Sequence, residues 1–430
     1  MPMSLAAAID RPLVPADRSS ERYLMLGLGA PDSATRRLPL NLALVIDTSG
    51  SMHGAKLSRV KEAASFVIRQ LSSADRVALV TYDDGANVIA PSTLLTPTAR
   101  TDLLYRISRI EAGGWTNLGS GWLTGCQLVA EGQRLDEQLD RVLLLSDGLV
   151  NVGITDPDEL TRHAGELRRR NIVTSTMGVG ADFNEGLLES LARHGGGRFQ
   201  YVESAKHIPD CVQGEIGELL SVRARKVAVE ITLPTGVQVA ECLNDFRTEL
   251  TTTGRRIHLD DLIAGEVRRV LLRLAVDPPD TLDDAASTVG RDIRALALYV
   301  DVDTGRGVEL AFPIASLQYA DLESVENQTI DRAVEEELAL QVAARARHEA
   351  VRLTVLGDRQ AAAVALASSS QLLAGFATAN RPTVAGEIAA LASLADNAQQ
   401  GFGRQELKEL HYQSYLQRQQ RRRYDRPEIT

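Results

Sequence analysis

Apolar residues follow two rhythms along this chain, and the change between them marks its organisation. From Pro39 to about Leu220, continuous apolar runs of strand length alternate with segments whose apolar residues recur every three or four positions. Residues 42–46, 76–82, 140–146, 172–179 and 198–202 are the runs. Leu57, Val60, Ala64, Val67 and Leu71 keep helical spacing, and 101–110, 120–131, 158–170, 184–193 and 208–220 also read as helices. An unbroken apolar run is what a strand buried on both faces presents, and strands alternating with amphipathic helices build a parallel sheet covered on both sides. Residues 86–91 are expected to return beside 76–82 as an edge hairpin around Asp83-Asp84-Gly85, and Thr98 or Thr101 to cap the helix over 101–110.

From Ala224 the rhythm becomes alternation. Val227, Val229, Ile231 and Leu233 fall on one side, Pro234-Thr235-Gly236 turns the chain, and 237–240, 256–259, 267–276, 293–302 and 308–312 follow as strands. Short strands separated by turn residues read as an antiparallel sandwich. Leu24, Leu26 and Leu28 alternate far upstream and need a sheet, so this strand is expected to join the sandwich, with the α/β domain inserted between. Residues 1–19 look loose, and 31–37 a polar turn.

Beyond about Asn327 helical spacing resumes through Val334, Leu338, Val342, Ala346, Ala350 and Leu353. Gly357-Asp358 breaks the stripe and 361–373 resumes it as a helical hairpin. Pro382 admits a further helix to about Ala398, and Gly401 and Gly403 a joint before a last polar helix over 405–424. The predicted architecture is a doubly wound, mostly parallel α/β sheet inserted into an antiparallel β-sandwich, followed by a C-terminal helical region. Its boundaries fall at 1–38, 39–222, 223–325 and 326–430.

The chemistry gathers where the central strands end. Leu42–Ile46 runs into Asp47-Thr48-Ser49-Gly50-Ser51, which offers one carboxylate and two hydroxyls within five residues. Ligands of open α/β sheets collect at the carboxyl ends of strands. Hard oxygens suit Mg²⁺, with Mn²⁺ or Ca²⁺ admitted by the same donors, and an octahedral ion needs more ligands than this loop holds. Thr116 in the glycine-rich stretch 113–121 and Asp147 at the end of a second apolar run extend the set to Asp47, Ser49, Ser51, Thr116 and Asp147. With these residues the sequence resembles the von Willebrand factor type A domain, and the set resembles that family's metal-ion-dependent adhesion site. The resemblance implies that the hydroxyls touch the metal, that the carboxylates often act through water, and that a partner's carboxylate takes an open position. More loosely, the whole chain resembles bacterial and archaeal proteins related to inter-alpha-trypsin-inhibitor heavy chains and calcium-activated chloride-channel regulators.

Other readings of the same residues are weaker. Asp and Ser after a strand often form side-chain turns or helix caps. The stretch 50–56 has three residues between its glycines rather than four, and Lys56 precedes Leu57, so it is no phosphate loop. Trp115 and Trp122 flank the Thr116 loop: Trp115 is a candidate for the partner-binding rim, together with His53, and Trp122 for the core. His53 is a poor ligand for a hard ion. The helix 208–220 slides in relatives that open and shut; a static amphipathic helix is the expectation here.

Composition adds exclusions. A net charge of -10 argues against general nucleic-acid binding. Three scattered cysteines, Cys126, Cys211 and Cys242, form neither a disulfide framework nor a zinc spacing. The first 23 residues do not read as a signal peptide, and no apolar stretch reaches the ~20 residues of a membrane span, which together predict a cytoplasmic protein. The basic run Arg418, Arg421, Arg422, Arg423 and Arg426 reads as a solvated terminus, with an acidic partner, the protein's own acidic surface or RNA as alternatives. The expected function is a non-catalytic, divalent-metal-dependent protein-interaction module that binds a partner's Asp or Glu. A co-chaperone or adaptor of a MoxR- or chelatase-type AAA+ ATPase is the alternative, and a metal-dependent hydrolase ranks third because no general base is evident.

Overall fold

The computed structural model describes residues 3–32, 36–132, 137–148, 152–252, 254–279 and 291–424. They fall into two compact units: one draws on Met1–Thr35 and Val222–Arg422, the other on Arg36–Ser221 and Arg423–Thr430.

The first unit starts with β1 (Ser4–Ile9), β2 (Leu13–Pro15) and β3 (Ser20–Gly29). Along β3 the alternating Leu24, Leu26 and Leu28 are fully buried. The second unit supplies β4 (Leu40–Asp47), β5 (Arg76–Tyr82), β6 (Ala86–Leu94), β7 (Leu139–Ser146), β8 (Ile172–Val179) and β9 (Gly196–Val202), in the spatial order β6-β5-β4-β7-β8-β9. All neighbours in that sheet are parallel except β5 and β6. Every residue of β4 and of β7 is buried, as expected of central strands covered on both faces. Interspersed are α1 (Ala55–Gln70), α2 (Pro97–Ser108), α3 (Leu118–Glu131), α4 (Pro157–Arg169), α5 (Glu185–Gly195) and α6 (Ile208–Leu220).

Helix α2 starts four residues before the sequence pattern suggested. Thr96, not Thr98 or Thr101, caps it by accepting from the Ala99 N–H at 3.2 Å, and Pro97 takes the first helical position, where its missing N–H costs nothing. Helix α3 sets the depth of the site loop before it, because two of its glycines lie flat on the sheet. A Cβ on Gly121 would meet the Tyr82 ring at 2.5 Å, and one on Gly125 would meet Val45 Cγ2 at 2.4 Å. Helix α6 is held to the sheet by Glu215, whose Oε1 accepts from Ser175 Oγ at 2.6 Å.

Past α6 the chain re-enters the first unit with β10 (Val222–Thr232), β11 (Val237–Cys242), β12 (Arg247–Leu250), β13 (Gly254–Ile263), β14 (Val267–Val276), β15 (Arg291–Asp301), β16 (Gly307–Ala311) and β17 (Ala315–Ala320). One sheet has the order β1-β3-β14-β11; the other runs β12-β13-β10-β15-β17-β2 with β16 also on β15. Strand β3 pairs with β14 over ten residues, so the upstream alternating strand does enter this fold. A single core joins the two sheets, with Leu24, Leu26 and Leu28 packed among Val229, Ile231, Ile257 and Val270.

The expectation that residues 1–19 are loose is corrected. Strand β1 pairs antiparallel with β3, and β2 runs parallel to β17. Alanine has little β-propensity, so the stretch Ala6-Ala7-Ala8 gave no local signal; pairing to an existing strand decides its state. The turn expected over 31–37 lies partly outside the described residues.

Helices Arg332–Val355, Arg359–Ala374, Pro382–Gln400 and Arg404–Arg418 complete this unit. The last was expected as polar and extending to residue 424; it stops at Arg418 and buries Leu410, Tyr412, Tyr415 and Leu416. Its basic end is only partly solvated: Arg422 is exposed, but Arg418 is buried and donates to Asp245 Oδ2 at 2.8 Å, and Arg421 lies 3.8 Å from Glu266, so these two meet the protein's own acidic groups. Arg426 lies outside the described residues.

Burial pushes the Glu266 carboxyl up, but the charges of Arg268 and Arg421 outweigh it, and the group stays below its ordinary 4.5. A depressed carboxyl stabilises the fold above its unfolded value, and that contribution fades as pH falls from about 4.5 through the folded value. Urea titrations between neutral pH and about 3.5 are therefore expected to show the gap between wild type and Glu266→Gln closing on acidification. A gap that stays constant with pH would remove Glu266 from the acid response.

Candidate metal centre

Strand β4 ends in Asp47, and the following loop folds back on it. The Ser49 N–H donates to Asp47 Oδ1 at 2.9 Å, the local turn that Asp favours, and Ser146 Oγ donates to Asp47 Oδ2 at 2.9 Å from the end of β7. A short 3-10 turn, Gly50–Met52, then places Ser51 Oγ 3.1 Å from Ser49 Oγ. Ser51 Oγ also donates to Asp147 Oδ1 at 2.7 Å. Two loops ninety-odd residues apart in sequence thus share one hydrogen-bonded chain of oxygens.

Thr116 reaches the same place from the loop before α3. A methyl added to Gly148 would lie 3.5 Å from Thr116 Oγ1 and 3.6 Å from Ser51 Oγ, so both hydroxyls border one small space that the glycine leaves clear. The loop is fixed through its backbone. The Gly113 N–H donates to the Thr48 carbonyl at 2.7 Å, and the Gly50 N–H to the Gly114 carbonyl at 3.1 Å. Gly114 has φ +76, with Asp83 Cβ and Asp84 Oδ2 both 3.0 Å from where a Cβ would stand, so this position needs glycine on two counts. Asp84 Oδ1 accepts from the Trp115 N–H at 3.0 Å.

Asp47, Ser49, Thr116 and Asp147 are buried, and Ser51 is exposed at the mouth. Burial pushes the Asp47 carboxyl above its ordinary 3.8; hydrogen bonds from Ser49 and Ser146 oppose this, and the nearby Asp147 charge adds to it. Two buried carboxylates this close are short of positive charge. Lys56, in the first turn of α1, supplies one: its ammonium lies on Asp147 Oδ2. Behind Asp47, Tyr82 is fully buried and its hydroxyl donates to the Leu145 carbonyl at 3.1 Å.

The donor set fits a hard divalent ion: oxygens only, a mixture of hydroxyl and carboxylate, gathered at strand ends. Among the described residues no group of three or more His, Cys, Asp and Glu is placed to hold a metal, and this set has only two carboxylates, so the three hydroxyls are essential to it. His53 is exposed beside the loop, Trp115 is 64% exposed at its rim, and Trp122 is fully buried in the core. Sequence reasoning overlooked Ser146 and Lys56. The first directly precedes Asp147 in the apolar run's polar ending. The second falls in the stretch 50–56, whose pattern carries no signal for a metal site.

A family model described as "von Willebrand factor type A domain" matches residues 41–213. This segment is a von Willebrand factor type A domain. The match begins in β4 and ends in α6, so it takes in all three site loops. Over 223 residues the chain is 29% identical to "Uncharacterized protein YfbK" of Escherichia coli K12, covering 51% of this chain and 38% of that protein. It is 27% identical over 282 residues to inter-alpha-trypsin inhibitor heavy chain H4 of Bos taurus, covering 62% of this chain and 30% of that protein. The chain thus spans well under half the length of these relatives. In structure it is similar to a von Willebrand factor type A protein from Catenulispora acidiphila, with a TM-score of 0.72 at 16% identity over 95% of this chain and 96% of that one. The ArnB paralog VWA2 from Sulfolobus acidocaldarius gives 0.61 at 17% identity over 96% and 98%. At these identities the likeness shows the fold alone. A type A domain is typically a protein-interaction module, and no helix among the described residues is long and apolar enough to cross a membrane.

Proposed function

We propose that the type A domain is a non-catalytic module that grips an acidic side chain of a protein partner through a divalent cation, in the cytoplasm. Mg²⁺ is the ion favoured by the donors, with Mn²⁺ or Ca²⁺ as substitutes. Ser49, Ser51 and Thr116 hold it by their hydroxyls; Asp47 and Asp147 act through water and orient those hydroxyls as acceptors. The bound ion supplies a Lewis-acidic open position for the partner's carboxylate. Trp115 and His53 form the rim that the partner meets. The supporting observation is the shared space bordered by Ser51 Oγ and Thr116 Oγ1, with Ser49 and both buried carboxylates joined to it by hydrogen bonds.

Affinity capture with Mg²⁺, with chelator, and with the Asp47→Ala variant tests this reading, with recovered proteins identified by mass spectrometry. A partner that is retained with Mg²⁺ and lost under the other two conditions, from a variant whose circular dichroism is native, is the expected result. Capture indifferent to both chelator and mutation ends the reading. Recovery of an AAA+ ATPase would select the adaptor alternative. Phosphatase activity with Mg²⁺ or Mn²⁺ that Asp147→Ala abolishes would select the hydrolase.

A further inference from the structure

A lysine in the first turn of a helix is placed against the local electrostatics, because the helix N-terminus already carries partial positive charge. Helix α1 nevertheless has Lys56 there, with no acidic residue in that turn. Gly54, at φ +80, turns the chain directly before it and lets α1 begin beside the site. The side chain is 30% exposed, yet its ammonium is spent on Asp147 Oδ2, the oxygen that Ser51 leaves untouched. It also lies 4.0 Å from where a Cβ on Gly180 would stand, at the end of β8. The ammonium therefore lies at the ends of β7 and β8, held on Asp147 while the side chain stays partly exposed.

Charge counting gives that position a role. Asp47 and Asp147 bring two negative charges and Lys56 one positive, so the set carries one net negative charge. A divalent cation turns it to one net positive, which a single external carboxylate neutralises. Without the ammonium the cation alone would neutralise the set, and an incoming carboxylate would leave it negative.

Building on the cation-dependent reading above, we infer that Lys56 is a specificity-determining residue of this site, which weakens divalent-cation binding and strengthens the hold of the loaded site on an acidic ligand. The two effects have opposite signs, which separates this role from a merely structural one. Loss of a structural prop would weaken both.

The test uses the full chain, with Mn²⁺ titrated and free ion read from its electron paramagnetic resonance signal. Lys56→Met keeps the aliphatic stem and removes the charge; Lys56→Arg keeps the charge. Lys56→Met is expected to bind Mn²⁺ on the order of tenfold more tightly than wild type, as removal of a nearby like charge requires. Acetate, corrected for its binding to Mn²⁺ in buffer, is expected to raise the Mn²⁺ affinity of wild type and of Lys56→Arg, and to raise that of Lys56→Met much less, since coupling between two ligands is reciprocal. Equal or weaker Mn²⁺ binding by Lys56→Met, or an undiminished acetate effect, overturns the assignment while leaving the cation reading intact. A wild type that binds no Mn²⁺ overturns both.

Discussion

Asp147→Ala is expected to lower divalent-cation affinity by roughly 10–100-fold or more, the range seen when groups that organise a metal site are removed. Asp147 is fully buried and links two parts of the site: its Oδ1 holds the Ser51 hydroxyl in place and its Oδ2 holds Lys56. Alanine strips one of the two negative charges and leaves Ser51 to rotate. The cost to the fold is small by comparison, because Ser51 and Lys56 both reach water once released. Asp47→Ala differs: the Ser49 N–H and the Ser146 hydroxyl would lose their acceptor in a buried place, at about 1–3 kcal/mol for each group left unsatisfied. Calorimetric titration with Mg²⁺, beside urea unfolding of both variants, separates the two cases. Unchanged affinity in Asp147→Ala would remove that carboxylate from the site.

Trp122→Ala is expected to destabilise the type A domain by about 3–5 kcal/mol, the usual result of deleting a fully buried tryptophan. The side chain is 0% exposed, and its Nε1–H donates to Thr174 Oγ1 at 3.1 Å across the helix–sheet boundary. Truncation opens a cavity beneath α3, where Gly121 and Gly125 already seat the helix close to the sheet and leave it little room to settle further. Trp115, the chain's other tryptophan, is already 64% exposed in the folded protein and changes little on unfolding, so far-UV circular dichroism follows the urea titration of the variant. A midpoint within error of wild type would mean that the helix closes over the gap.

The sequence made the sheet legible because its central strands are buried on both faces and so read as unbroken apolar runs. In the sandwich, alternation marked the core-facing strands β3 and β10, whose inward residues are large. It failed at β1, where alanines stand in for them, and at the short strands β2, β12 and β17, whose state depends on partners distant in the chain. The final helix misled for a related reason. Its many charged and amide side chains suggested solvent, but Arg418 reaches Asp245 and Ser414 Oγ donates to the Ala344 carbonyl at 2.8 Å, so polar groups are buried with their partners. At the site, the Asp-x-Ser-x-Ser pattern drew attention to its own loop. Ser146 and Lys56 carry no such pattern; only folding places one against Asp47 and the other against Asp147.

The two backbone hydrogen bonds between the Thr48–Ser51 loop and the Thr116 loop tie their movements together. Neither loop can shift by much without breaking an amide contact or taking its neighbour along. Docking at Trp115 would therefore be felt at Ser49, and a disturbance at Gly50 would reach Thr116. Amide resonances of Gly50 and Gly113 should accordingly respond in step during any titration, even when the added molecule touches one loop only.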